Sequence, residues 1–256
     1  MNARTFLRQS AFTSAFEMRR CISSWRFAAS IVAMILISVM CYINFADSQD
    51  STGFSSPFLQ STTMLTALTA TIMASQSISD EFEKKTALSM FAKPINRSAV
   101  ASGKIISAYI LCSVIVLLYF GILVAISLAR YGNVADGMGT SLLLTFLLLF
   151  AMVGLCSFVS SLSPSSGLSM LICFVVLVIV QLFIDATDFT TEPWYYLGYD
   201  ARIIPNYVEG TTTVYFEDMT TISYEPLLGT AAFMMSIYGI VSTTATMIVF
   251  RFRNIQ

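Results

Sequence analysis

Residues 79–104 read SDEFEKKTALSMFAKPINRSAVASGK, a short charged stretch held between two long apolar runs. Asp80, Glu81, Glu83, Lys84, Lys85, Lys93, Arg97 and Lys104 fall inside it, whereas residues 57–78 and 105–129 on either side carry no charge. A hydrocarbon core of about 30 Å is crossed by roughly 20 helical residues, so each flanking run is long enough to span it. Charge gathered into one tight loop between two crossings is presented to water and to whatever partner waits there.

The rest of the composition agrees. Of 256 residues, 56% are hydrophobic and 11% charged, with a mean hydropathy of +0.74. A soluble domain carries about a quarter of its residues as charges, so the solvent of this chain is lipid. Basic residues are few and scattered among apolar segments, which leaves no footprint for nucleic acid. Cys21, Cys41, Cys112, Cys156 and Cys173 lie in or beside apolar runs without CxxC spacing, arguing against disulfides and a metal site. Histidine is absent, which removes the commonest general base and metal ligand. No catalytic residue is assigned.

Six segments are long enough to cross: 27–46, 57–78, 105–129, 140–160, 167–184 and 227–250. The predicted fold is therefore all-α and integral to the membrane, one transmembrane domain over residues 1–256. Pro57 and Pro226 stand near the first turns of their helices, where a missing N–H costs nothing. Ser163-Pro164-Ser165-Ser166-Gly167 predicts a tight turn between the fourth and fifth spans. Before the first span, residues 1–26 carry Arg4, Arg8, Arg19, Arg20 and Arg26 against one acid, Glu17. At helical spacing Leu7, Ala11, Ala15, Met18 and Ile22 share one face and Gln9, Thr13, Glu17, Arg20 and Ser24 the opposite one. That pattern predicts an N-terminal amphipathic helix lying in the interface.

With six spans both termini share a side, and the charges say which. Of the 14 Lys and Arg, all except Arg130 and Arg202 fall in the N-terminal segment, the 79–104 loop and the C-terminal tail. The positive-inside rule makes that side, with both termini, cytoplasmic. Localisation to the plasma membrane as a multi-pass protein follows. On the other side the segment 185–226 is too long for a simple connection, which gives it structure or a job such as binding an extracytoplasmic partner. Trp194, Tyr195, Tyr196 and Tyr199 are placed as an interfacial aromatic belt. Residues 211–216 and 220–224 are β-prone about Glu217-Asp218-Met219, suggesting a small β-hairpin, with an irregular loop on the membrane as the other reading.

No Asp, Glu, Lys, Arg or His falls within the six spans. Ion-coupled carriers usually place ionisable groups inside the bundle, so energy must arrive from elsewhere. The chain has no GxxxxGK sequence and so no P-loop of its own. The second span is rich in hydroxyls: Thr62, Thr66 and Thr69 share one helical face, and Ala67, Thr71 and Ser75 form a small-xxx-small row on another. Such rows serve close helix packing, with interhelical hydrogen bonds, or line a polar path. Both hold if the path lies between two protomers, and Gln181 in the fifth span carries the same two readings.

The run EFEKKTALSMFAKPINRSAVASGK resembles the cytoplasmic segment of ABC-2 type permeases. There an acidic residue, a small-residue step, a Pro-x-x-Arg and a Gly-Lys opening the third span recur, here Glu81 or Glu83, Thr86, Pro94, Arg97, Gly103 and Lys104. The family's glycine after the acidic residues is replaced by Lys85-Thr86. The six-span layout, the interfacial helix and the long last outer loop extend the resemblance along the chain. It implies a half-transporter in which two permease chains, identical or closely paralogous, form the pathway. Two separate ATPase chains would hold ATP and Mg²⁺, with no cofactor on this one.

The resemblance also implies a coupling helix from residues 79–104 seated in the ATPase. Asp80, Glu81, Phe82, Glu83, Lys84, Lys85, Leu88, Phe91, Pro94 and Arg97 are its candidate contacts: apolar anchors set among charges. The second helix would run on through Phe82 and Lys85 until Pro94 stops it, and Ser98 would cap the third. The competing reading is an ATP-independent scaffold or assembly factor that binds its partner through 185–226.

Overall fold

The computed structural model describes residues 3–45, 48, 50–80, 97–179, 195–209 and 226–252. Among them the chain is helical throughout, with no strand: α1 Ala3–Ile22, α2 Trp25–Phe45, α3 Ser51–Ala74, α4 Arg97–Tyr131, α5 Met138–Leu162, α6 Ser166–Phe174, α7 Leu197–Ala201, α8 Ile203–Glu209 and α9 Leu228–Phe252. A π-helical turn, Val175–Ile179, continues α6. The segment suggested as a hairpin, 211–224, lies outside the described residues, as does Trp194.

Four helices are long and apolar enough to cross a membrane: α2, α4, α5 and α9. Helix α3 has the length, 24 residues or about 36 Å, but its hydroxyls leave it less apolar. Its position explains the tolerance. It packs against α2, α4, α5, α6 and α8, so most of its surface meets protein and lipid touches only a stripe including Gln60 and Met64. Helix α6 with its π turn is a shorter apolar helix as far as Ile179.

The peripheral helices invert the soluble pattern. On α2 the buried residues are Ser30, Met34, Ser38 and Cys41, while Val32, Leu36, Met40 and Ile43 point outward. Small and weakly polar side chains let backbones approach and satisfy their hydroxyls on their own helix, and large aliphatic ones face lipid. Helix α9 repeats the arrangement with Ala231, Met235, Gly239, Ser242, Thr246 and Phe250 inward, lying along α5. The serine-rich turn behaves as its sequence predicts: α5 ends at Leu162, and Ser165 caps α6 by accepting the N–H of Leu168.

Several local expectations are corrected. Pro57 sits inside α3, which starts at Ser51, because the first turns of that helix extend beyond the apolar run. Helix α3 is interrupted before residue 79: it ends at Ala74, the chain turns over 75–78 and is helical again at 79–80. The run expected through Phe82 and Lys85 to Pro94 lies outside the described residues. Ser98 lies within α4, not at its cap. Tyr199 is buried, not interfacial: α7 and α8 fold part of the long loop against the bundle, with Ser141 Oγ donating to the carbonyl of Ile204 at 2.8 Å.

Candidate functional site: the charged elbow

The described part of the 79–104 stretch is its two ends, and both are anchored. Helix α3 stops where Ser75, Ser77 and Ser79 offer hydroxyls that compete for backbone groups. The turn that results leaves backbone donors to be satisfied, and Ser160 of α5 accepts the N–H groups of Ile78 at 3.2 Å and Ser79 at 3.0 Å. Ser169 of α6 donates to the carbonyl of Ser75. Asp80, expected in water, is buried and takes the Arg26 guanidinium at 2.7 Å. The segment that follows α3 is therefore tied to α2, α5 and α6.

The other end begins with α4. At 35 residues, or about 52 Å, α4 exceeds the hydrocarbon thickness, so its first turns can stand in the interface. There α1 lies across it. A Cβ on Gly103 would come within 2.7 Å of the Ser10 carbonyl oxygen and 2.8 Å of Thr13 Cβ, so only glycine permits this approach. Ser102 donates to Ser10 Oγ at 3.0 Å. One turn further along α1, Glu17 receives the ammonium of Lys104 at 2.9 Å, and the same ammonium donates to the carbonyl of Ser77 at 2.8 Å. Lys104 is only 2% exposed. A lone charge this enclosed would cost several kcal/mol, and the pair with its extra acceptor offsets that cost.

The two ion pairs thus join four elements, α1, α2, the end of α3 and the start of α4, around a cavity of about 240 Å³ lined by Glu17, Arg20, Arg26, Ser77, Asp80 and Lys104. The amphipathic reading of α1 is refined: its apolar face is outward, with Phe12 79% exposed, while Ser10, Ser14 and Glu17 are buried against α4. Glu17, Ser160 and Ser169 were not singled out by sequence. Glu17 being the lone acid among five arginines was the available signal; the serines gave none.

Of the other candidates, Glu81, Phe82, Glu83, Lys84, Lys85, Leu88, Phe91 and Pro94 lie outside the described residues, as does Gln181, and Arg97 is described only as the opening of α4. Thr62, Thr66, Thr69, Thr71 and Ser75 are buried in α3. The hydroxyls of Thr62, Thr66, Thr69 and Ser75 fold back onto carbonyls of their own helix, at 3.2 Å to Phe58, 2.8 Å to Thr63, 2.9 Å to Leu65 and onto Thr71, instead of reaching across to neighbours.

Apolar helices long enough to span, a charged internal elbow and an N-terminal helix packed on α4 are features of a multi-pass membrane protein. Residues 13–189 match the family described as ABC-2 family transporter protein, and the chain belongs to that family. It is a membrane permease of the ABC exporter type, from a family whose members generally partner an ATPase subunit and dimerise. No curated protein matches the chain.

Proposed function

We propose that this chain is the membrane half of an ABC exporter. Two copies, or one with a close paralogue, form the pathway, and two separate ATPase chains that hold ATP and Mg²⁺ drive it. In this reading it crosses the plasma membrane six times with both termini in the cytoplasm. Residues 79–104 form the coupling segment, with Glu81 to Arg97 against the ATPase and Asp80 holding the segment to α2. The observation that carries it, beside family membership, is that both ends of this segment are locked into the bundle by buried charge pairs. A solvated turn needs no such anchoring, whereas a lever does.

The pathway runs where the protomers meet, along the exposed stripe of α3 that includes Gln60 and Met64. Thr62, Thr66, Thr69, Thr71 and Ser75 stand behind it and stiffen it. Expressing the chain with its candidate ATPase and isolating the complex tests the reading. Charge reversal of Glu81 and Glu83 together should abolish co-isolation or ATP-driven transport. Unchanged assembly and transport would overturn it in favour of the ATP-independent scaffold, whose signature is loss of function on deleting 189–224.

A further inference from the structure

We propose that the elbow cavity is a binding site for a phosphate group, presented by a phospholipid head group of the cytoplasmic leaflet. Among the described residues its lining holds three cations and two acids: Arg20, Arg26 and Lys104 against Glu17 and Asp80. Lys104 is spent on Glu17 and Arg26 binds Asp80 through one terminal nitrogen. Arg20 is left with a 3.8 Å approach to the already paired Glu17 and is 48% exposed. Arg26 keeps its second terminal nitrogen without an acceptor among the described residues. Two guanidinium groups with donors to spare beside a cavity match a tetrahedral oxyanion, which takes paired N–H donors from planar forks.

The depth of the cavity selects the source. Phe12, Phe16, Ile22 and Trp25 are exposed on the helices that frame it, and such residues dip into the boundary between head groups and acyl chains. The mouth therefore opens at the level of lipid phosphates. Basic pockets between helices on the cytoplasmic side are where anionic lipids dock. The occupant would bridge α1 to α2 over the ion pairs, so lipid binding would tighten the elbow. This inference rests on the orientation proposed above, with the elbow at the cytoplasmic face, and not on the transport reading.

Thermal unfolding of the purified full chain in neutral detergent tests it, titrating phosphatidylglycerol, phosphatidylcholine or inorganic phosphate. Phosphatidylglycerol should raise the unfolding temperature saturably. Arg20→Gln, which removes charge-assisted bonds, and Ser24→Phe, which fills the mouth, should each weaken the apparent affinity about tenfold. Arg251→Gln, an equal charge change on exposed α9 at the same side, should leave it intact and shows that such variants still fold. A response to inorganic phosphate with the same dependence on Arg20 assigns the site to a soluble phosphate source. Equal weakening by Arg20→Gln and Arg251→Gln, or none by Ser24→Phe, would overturn the proposal.

Discussion

Lys104 of α4 and Glu17 of α1 meet at 2.9 Å with both side chains buried, 87 residues apart in sequence. Removing one partner leaves the other as an uncompensated buried charge. Lys104→Met or Glu17→Met should each lower stability by about 3–5 kcal/mol, and the two together by much less than their sum. Unfolding of all three variants in detergent checks this, and additive losses would mean that the two side chains do not support one another.

Gly103 and Gly121 lie on the same helix in opposite surroundings. An added Cβ at 103 meets the Ser10 backbone at 2.7 Å, and at 121 it meets nothing within 4 Å. Gly103→Ala should cost about 1–3 kcal/mol and loosen α1, seen as faster proteolysis of the N-terminal segment. Gly121→Ala should be neutral or stabilise by up to about 1 kcal/mol. The reverse order would place α1 elsewhere than across α4.

The two glycines mark how far sequence reading went. Within the described residues each of the six apolar runs is helical, and four of the helices are long and apolar enough to cross a membrane, because a long uncharged run has few other ways to satisfy its backbone. Periodicity also sorted α1 correctly into two faces. It could not say that the face bearing Glu17 would meet Lys104 instead of water, since a polar face looks the same opposite solvent or a partner. The end of α3 was misread for a related reason: its apolar run continues to Ile78, but hydroxyls at Ser75 and Ser77, with Ser160 waiting on α5, make a turn competitive there. Helices α7 and α8 are single turns or little more, too short for periodicity to register, and tertiary burial of Tyr199 and Ile204 defines them.

Asp200 in α7 is 1% exposed, and its Oδ2 has no hydrogen-bond partner among the described residues. Desolvation by burial raises its pKa from 3.8 to about 7. The native chain then holds a proton that the unfolded chain releases as pH climbs from about 4 to 7. This group's contribution to stability is therefore complete below that window and lost as pH rises through it. Asp200→Asn should flatten the decline measured between those limits, and an unchanged slope would exclude Asp200 as its source.

Single cysteines placed at Lys93 and at Gly132, in a background without the five native cysteines, report the orientation. A membrane-impermeant maleimide should label position 132 in intact cells and position 93 only after permeabilisation. Labelling of position 93 from outside would invert the whole arrangement.

The distance along the chain between Glu17 and Lys104 also sets an order of events during biogenesis. At ribosomal rates of 5–20 residues per second, about 4–17 s pass between synthesis of the acid and of its ammonium partner. Through that interval the Glu17 carboxylate lacks its ammonium partner. It can be drawn in only after the third crossing has been inserted with the right polarity. The clasp thus closes last among the early segments, and a chain in which α4 is wrongly placed would be left without it.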